Sequence, residues 1–371
     1  MQKLLLALIV MFSVSAASAA PLRVAIIGLN HGHVGGFLNG GALVPAGGAL
    51  HRPDIQIVGV VEPDRALFDS SAQKLHLAPN LYFASIGEMA AKVHPDAALV
   101  FTSTFGHTAA VEECAKRGIH VMMEKPMAVS YKDALAIERA AKANHVHVLV
   151  DYETSWYSSN TAAREVLEKK EIGSVRKVIV RDGHRGPKAI HSAPSFLVWL
   201  TDPKLNGAGA LYDFGCYGAD IMTWLMHGET PQSVTAVTQR FQPDVYPQVD
   251  DEANVTVAYK SAVAILQGSW NWPFAIKDMD VYGSTGFAKT IKSGQLEVRR
   301  DGEDEGHVTQ TAALTSPNDD PLHYLAAVIH GEIQESGSLS ALDTNVIVSE
   351  ILDAARRSAQ TGRTVRLPLT D

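Results

Sequence analysis

At 371 residues, 46% hydrophobic and 19% charged, the chain has the makeup of a globular protein long enough for two domains with a core in each. A formal net charge of −8, spread without a Lys/Arg-rich block, argues against nucleic acid or an anionic membrane as the main partner. The two cysteines, Cys114 and Cys216, fall in unrelated segments and read as buried free thiols rather than as a disulfide.

Residues 1–19 differ in kind from the rest. Lys3 precedes a nearly unbroken apolar run from Leu4 to Val14, and Ala17-Ser18-Ala19 supplies a small-x-small cleavage site. This is the pattern of a secretory signal peptide, and the run is well short of the ~20 residues that span a bilayer. The expectation is an exported protein, periplasmic or secreted, with no membrane anchor after cleavage.

Residues 22–29 form an apolar, β-rich run that ends in Asn30-His31-Gly32-His33-Val34-Gly35-Gly36. A buried strand followed by a Gly-rich turn into a helix opens a dinucleotide fold, in which backbone N–H groups at the helix start hold a pyrophosphate. The G-x-G-x-x-G pattern is incomplete here: Gly28 stands first, while Asn30 and His33 occupy the second and third glycine positions. Asn tolerates left-handed backbone, so Gly28, Asn30, His31, Gly32 and His33 are cofactor-binding candidates. After a Gly/Pro-rich insertion, residues 55–61 read as a second buried strand with Glu62 directly behind it. An acid there accepts hydrogen bonds from an adenosine ribose and repels a 2′-phosphate, which favours NAD over NADP, although Arg65 nearby weakens that preference.

Residues 96–128 read as a strand (97–101), a Thr-rich turn (102–107), a helix ending at Lys116-Arg117-Gly118, a strand (119–123), and then Glu124-Lys125-Pro126. Ligands of open α/β sheets sit outside the carboxyl ends of the strands. That rule adds Thr102, Thr104, His107, Glu124, Lys125 and Pro126 to the cofactor candidates. A helix over 131–144 and a strand over 146–150 complete a first domain of residues 20–150.

This order of parts resembles the glucose–fructose oxidoreductase / inositol dehydrogenase (Gfo/Idh/MocA) family. The most specific motif is Gly118-Ile119-His120-Val121 running into Glu124-Lys125-Pro126, with His107 at the expected distance upstream. The resemblance implies that Glu124 contacts the nicotinamide end, that Lys125 sits beside the substrate hydroxyl, and that Pro126 shapes the turn. It also implies an N-terminal Rossmann domain followed by a C-terminal α+β domain, here 151–371, whose open, mainly antiparallel sheet joins subunits into a dimer or tetramer.

The second half agrees with that outline. An amphipathic helix (161–170) leads to alternating strands at 175–181, 233–240, 253–259, 262–269 and 279–282, and a helix with a tail closes the chain over 343–371. Between the first two strands, a Gly-rich lead runs into Asp213, Tyr217 and Asp220 at i, i+4 and i+7, on one face of a helix. The family carries Asp-x-Gly-x-His here, with Tyr replacing His in some sugar-oxidising members, and this chain follows the Tyr branch. Trp270 and Trp272 are candidates to stack on a sugar ring, with Trp156 and Trp199 behind them and His184 as a further substrate contact.

The leading expectation is an exported NAD-dependent oxidoreductase acting on a secondary hydroxyl of a sugar or glycoside. Tyr217 would be the acid/base, Lys125 the charge that favours its phenolate, and Asp213 the group that orients the sugar hydroxyls. A chain exported unfolded has to acquire its NAD outside the cytoplasm, so the cofactor is expected to be tightly bound. Three alternatives remain open: a redox-neutral NAD-dependent glycosidase or lyase, a metal enzyme built on His31 and His33 with His107, His184 and His191, and a non-catalytic sugar-binding protein. No Cys or clustered acid near the His-Gly-His turn supports a metal, and none is assigned.

Overall fold

The computed structural model describes residues 20–370, so the signal-peptide segment lies outside the described residues. Six parallel strands, β1 (Leu22–Ile27), β2 (Ile55–Val61), β3 (Tyr82–Phe83), β4 (Ala97–Val100), β5 (His120–Glu124) and β6 (Val148–Asp151), form a sheet in the order β3-β2-β1-β4-β5-β6. The order reverses at β1, so a crevice opens between the carboxyl ends of β1 and β4. Side chains alternate between two cores. Val24 and Ile26 pack with α1 (Val34–Asn39) and α2 (Arg65–Leu75), while Ala25 and Ile27 pack with α3 (Ile86–Val93), α4 (Gly106–Ala115) and α5 (Tyr131–Asn144).

The helix starts follow the sequence. Asp64, Ser85 and Ser130 each accept a backbone N–H with the side chain, capping α2, α3 and α5. Helix α1 has no such cap and runs for six residues, with Gly35 and Gly36 inside it. Its N-cap residue, His33, turns its side chain elsewhere.

The second domain begins with α6 (Ser158–Glu168) and folds onto a nine-stranded sheet: β7 (Val175–Gly183), β8 (Ser233–Gln239), β9 (Glu252–Ala258), β10 (Val263–Ser269), β11 (Ile276–Gly283), β12 (Gly286–Lys292), β13 (Gln295–Arg300), β14 (His307–Gln310) and β15 (Val365–Arg366). The order is β14-β13-β12-β11-β7-β10-β9-β8-β15, and every pairing except β7 with β10 is antiparallel. The sequence expectation omits β12 to β14. Strand β12 buries only Ala288 and Thr290, β14 is exposed throughout, and β13 alternates but offers only Leu296 and Val298 as apolar residues.

Four short helices lie over the β7–β10 region and the domain junction: α7 (Pro194–Leu200), α8 (Pro203–Asn206), α9 (Ala210–Asp213) and α10 (Gly215–Leu225). The chain breaks at Phe214, between α9 and α10, so Asp213, Tyr217 and Asp220 do not share one continuous helical face. Asp220 lies wholly inside the core, and neither carboxyl oxygen has a hydrogen-bond partner.

Near its end the chain returns to the first domain. Leu322, Leu325 and Val328 of α11 (Pro321–Ile329) enter the core beneath β1, and Arg52 of the early insertion bonds Asp320 at its N-terminus (2.6 Å). Helix α11, which falls within residues 151–371, thus buries its apolar face on the Rossmann sheet. Helix α12 (Leu342–Thr361) packs against α5 and β6 on one side and α10 and β8 on the other. Its Arg356 donates to the carbonyls of Val129 and Gly207.

Burial holds the Asp220 carboxyl well above the ordinary range, so the folded protein keeps it protonated. The unfolded chain ionises it above about pH 4, and the stability this proton supplies is lost as pH rises. Asp220→Asn, which needs no proton, should therefore raise the Tm relative to wild type by more at pH 8 than at pH 5. A difference that does not grow with pH would contradict a neutral Asp220.

Candidate active site

The polar centre of the molecule is a buried ion pair between domains. Lys125, at the carboxyl end of β5, donates from Nζ to Asp213 Oδ1 (2.6 Å) and to the Asp213 carbonyl (2.8 Å). Both side chains are under a tenth exposed. The Lys125–Pro126 bond is cis, and the buried His107 fixes the turn from below through Nδ1, near the carbonyls of Pro126 (3.2 Å) and Met127 (3.3 Å). Trp270, fully buried, donates Nε1–H to Asp213 Oδ2 (2.9 Å). Burial alone would raise the Asp213 carboxyl, but Lys125 above all, with His184 and Trp270, holds it at about 2. Burial alone would also strip the proton from Lys125, and Asp213 instead raises the ammonium above its usual range.

The pair opens into a cleft of about 680 Å³ whose lining includes His31, Gly32, His33, Lys125, Glu153, Tyr157, His184, Asp213, Tyr217 and Lys277. His184 lies edge-on to Phe214 and accepts the Gly186 N–H at Nδ1 (2.9 Å), so its Nε2 carries the proton. Tyr217 departs from expectation. Its hydroxyl is met by Lys277 Nζ (3.4 Å), whereas Lys125 Nζ stands 5.0 Å from the ring centroid and spends its hydrogen bonds on Asp213. Lys277 is in turn ion-paired with Glu153, which also accepts the Tyr157 hydroxyl (2.5 Å). Burial, and then Glu153, Cys216, Glu124 and Asp213, push the Tyr217 phenol well above its usual value. The proposed Tyr217–Lys125 pair is thus corrected to Tyr217–Lys277.

Several other expected contacts serve the scaffold instead. Trp270 supports Asp213 from behind, and Trp272 packs on Gly183, where an added Cβ would meet its ring at 2.8 Å. Trp156 lines a separate cavity of about 640 Å³ with Trp224 and Tyr324. Thr104, 1% exposed, bonds Asn206. Lys277, Glu153 and Tyr157 were missed. Glu153 lies just beyond the carboxyl end of β6, so the rule that found Glu124 pointed to it as well.

Glu124 lies beneath the cleft rather than on it. Its Oε1 is 2.8 Å from His33 Nδ1, and its Oε2 is 3.9 Å from His31 Nε2. The His33 N–H points to His31 Nδ1 (3.2 Å), so His31 carries its proton on Nε2, toward Glu124. Burial among Phe101, Phe196 and Trp199 lowers His31 to about 3 and keeps it neutral. The Glu124 carboxyl would be raised by burial, but the two imidazoles and Lys125 hold it below the usual range. Among the described residues His31, His33 and Glu124 form the set whose ligating atoms, all within 4.8 Å of one another, have a spacing a cation can use. His107, His184 and His191 do not join it, and in this arrangement protons on the two rings close it.

A second cleft, of about 540 Å³, is lined by Gly28, Asn30, Val61, Glu62, Pro63, Ile86 and Thr102. Gly28 has φ +84°, and a Cβ there would meet Thr102 Cγ2 at 2.8 Å. Glu62 accepts the Leu29 N–H (2.9 Å) and the Asp64 N–H (3.0 Å). Across the strip between the clefts, Trp199 Nε1 donates to the Asn30 carbonyl (3.2 Å) and Phe105 N–H to the Leu205 carbonyl (2.9 Å).

Residues 22–152 match the oxidoreductase family with an NAD-binding Rossmann fold, and residues 160–289 match the GFO/IDH/MocA C-terminal domain. The chain belongs to the GFO/IDH/MocA oxidoreductase family. Among curated relatives, trans-1,2-dihydrobenzene-1,2-diol dehydrogenase of Sus scrofa is 26% identical over 245 residues, 65% of this chain and 68% of that protein. The enzyme of that name from Xenopus laevis is 29% identical over 189 residues, 50% of this chain and about half (53%) of the relative. Two solved structures share the fold. They are an aldose–aldose oxidoreductase from Caulobacter crescentus complexed with glycerol (TM-score 0.76, 20% identity, 94% of this chain and 100% of that one) and an inositol dehydrogenase homolog from Azotobacter vinelandii complexed with NAD+ (0.77, 18%, 96% and 100%).

As a GFO/IDH/MocA protein the chain is an NAD-binding oxidoreductase, and its residues fit that cofactor. Gly28 leaves room no other residue would, and Glu62 stands at the adenosine end of the smaller cleft. Among the described residues the backbone N–H groups of Asn30 and Gly32 have no acceptor, and the buried Asn30 Oδ1 has no donor. The two N–H groups are the donors that a pyrophosphate turn presents.

Lys125→Met leaves Asp213 buried without its cation. Urea unfolding should show a loss of about 3–5 kcal/mol, with part regained in Lys125→Met/Asp213→Leu. Equal stability of the single variant and wild type would contradict a folded-state ion pair.

Proposed function

We propose that this protein oxidises a secondary hydroxyl of a sugar-like polyol with NAD, and that it does so after export. The observation that carries the reading is the Lys125–Asp213 pair, buried between the domains and open to the cleft that holds the His31–Gly32–His33 end of the dinucleotide turn. The relatives' names add vicinal diols, aldoses and inositol as chemistry found on this fold. NAD supplies a hydride acceptor when bound. The chain's own groups bind and orient the polyol. The Lys125 ammonium donates to the reacting oxygen, Asp213 accepts from the adjacent hydroxyl, and His184 Nε2–H and the neutral Tyr217 hydroxyl donate to the others.

An exported chain that acquires its cofactor once has reason to keep it. Trp199 and Phe105 bridge the domains across the strip between the clefts, which suits a dinucleotide that stays through many turnovers. Homo-oligomerisation through the open sheet belongs to the same reading.

Mass spectrometry of small molecules released by denaturing the purified protein should find NAD. A panel of aldoses, inositols and glycosides should yield at least one substrate whose ketone product accumulates. Lys125→Ala and Asp213→Asn should each lower kcat/KM on it by about 10²-fold or more, in line with lost hydrogen-bonding and orienting groups. Glycoside cleavage with no net change in NADH absorbance would assign the redox-neutral chemistry instead. Absence of any dinucleotide, with no thermal shift on adding NAD, would leave a binding protein. N-terminal sequencing of protein recovered outside the cytoplasm should begin at Ala20.

A further inference from the structure

The cleft as described lacks a proton acceptor. Asp213 has both oxygens engaged, by Lys125 and Trp270. Lys125 is an ammonium locked to Asp213, and His184 presents a protonated Nε2. Tyr217 meets Lys277, itself bound to Glu153.

Asp278 also lines the cleft, with Oδ1 held by Arg181 Nε (2.6 Å), and the strand β11 that carries it lies on the second domain's side. His33 faces the same space from the dinucleotide turn. The His33 side chain is a third exposed and lines the cleft, while its Nδ1 lies 2.8 Å from Glu124, a carboxylate only 2% exposed. An ionised carboxylate accepts and does not donate, so the proton between them sits on Nδ1. In the neutral ring Nε2 then holds a lone pair, and among the described residues no donor meets it. Glu124 itself cannot turn away. It is the C-terminal residue of β5, and the Nε2–H of His31, packed against Phe196 and Trp199, faces its other oxygen.

We propose that His33, oriented by Glu124, is the general base of this active site. The inference rests on the polyol-oxidising reading above. As the carbinol hydrogen leaves as hydride for the oxidised nicotinamide, the hydroxyl O–H bond breaks and its proton bonds to His33 Nε2. The freed electron pair closes the carbonyl, so the alcohol is oxidised by two electrons and the nicotinamide reduced by two. Glu124, across the ring, stabilises the imidazolium until water takes the proton. The titratable groups of this cleft and beneath it are His31 from the same turn, Glu124 at the end of β5 and Lys125 just after it, Glu153 and Tyr157 beyond β6, and, from the second domain, His184, Asp213, Tyr217, Lys277, Asp278 and Lys292. His33 occupies the third position of the incomplete Gly motif. One of the two residues that depart from the dinucleotide fingerprint is thereby the one that reaches the substrate.

The tautomer is tested first, on wild-type protein. Long-range ¹H–¹⁵N NMR, with His33 assigned by its loss in His33→Gln, should show the neutral ring with Nδ1 protonated and Nε2 unprotonated. A protonated Nε2 would overturn the proposal. On the substrate found by the polyol panel, His33→Gln and His33→Asn should lose about 10²–10⁴-fold in kcat/KM. Both should lose the acid limb of its pH profile while remaining folded by circular dichroism. Glu124→Gln removes the anion that orients the ring and stabilises the protonated imidazole, so it should also lower kcat/KM on the same substrate. Full activity in either folded His33 variant defeats the base assignment alone. Failure of wild-type protein to oxidise any polyol defeats the oxidation reading, and the base role with it.

Discussion

Everything that distinguishes this active site follows from one constraint: the Lys125 ammonium and the Asp213 carboxylate are buried together and neither is tolerable alone. Moving either charge out of water costs several kcal/mol, and removing one partner leaves that cost uncompensated. The turn after β5 and the break between α9 and α10 are therefore held at one separation, with Nζ to Oδ1 at 2.6 Å. His107 supports the first side from below and Trp270 the second from behind. The cleft is what remains between two backbones that the pair keeps apart and in register.

Much of this was legible in the sequence, for identifiable reasons. Parallel strands buried on both faces appear as unbroken apolar runs, so β1, β2, β4 and β5 were found within a residue or two, and the strand-end rule then placed Glu124 and Lys125. Asp213 and Tyr217 carried a spacing signal, and both line the cleft. What was hidden depends on tertiary contacts. Nothing local tells that Lys277, from a strand far along the chain, meets the Tyr217 hydroxyl, or that Trp270 faces inward to Asp213. The strands β12 to β14 bury few large apolar side chains, with only Leu296 and Val298 of β13 carrying the pattern, so the signal there is weak. The expected helical face failed at Phe214, a one-residue break that leaves Asp220 in the core.

The dinucleotide turn shows a different economy of residues. A glycine at position 33 would offer close backbone approach and nothing more, whereas His33 gives up some of that approach and places a ring between Glu124 and the cleft. His31 takes the neighbouring position and fills it with a neutral, buried ring against the second domain. The turn keeps the geometry that Gly28 needs while its amide-lined stretch shortens to Asn30 and Gly32. Binding and chemistry are thus drawn from the same few residues.

The chain passes between its two units more than once: after β6, again to deliver α11 beneath β1, and finally along α12, whose two sides pack on both. Domains joined by a single linker can swing as doors do. Units sewn by three passes of the same thread can turn only about an axis that runs close to all three crossings.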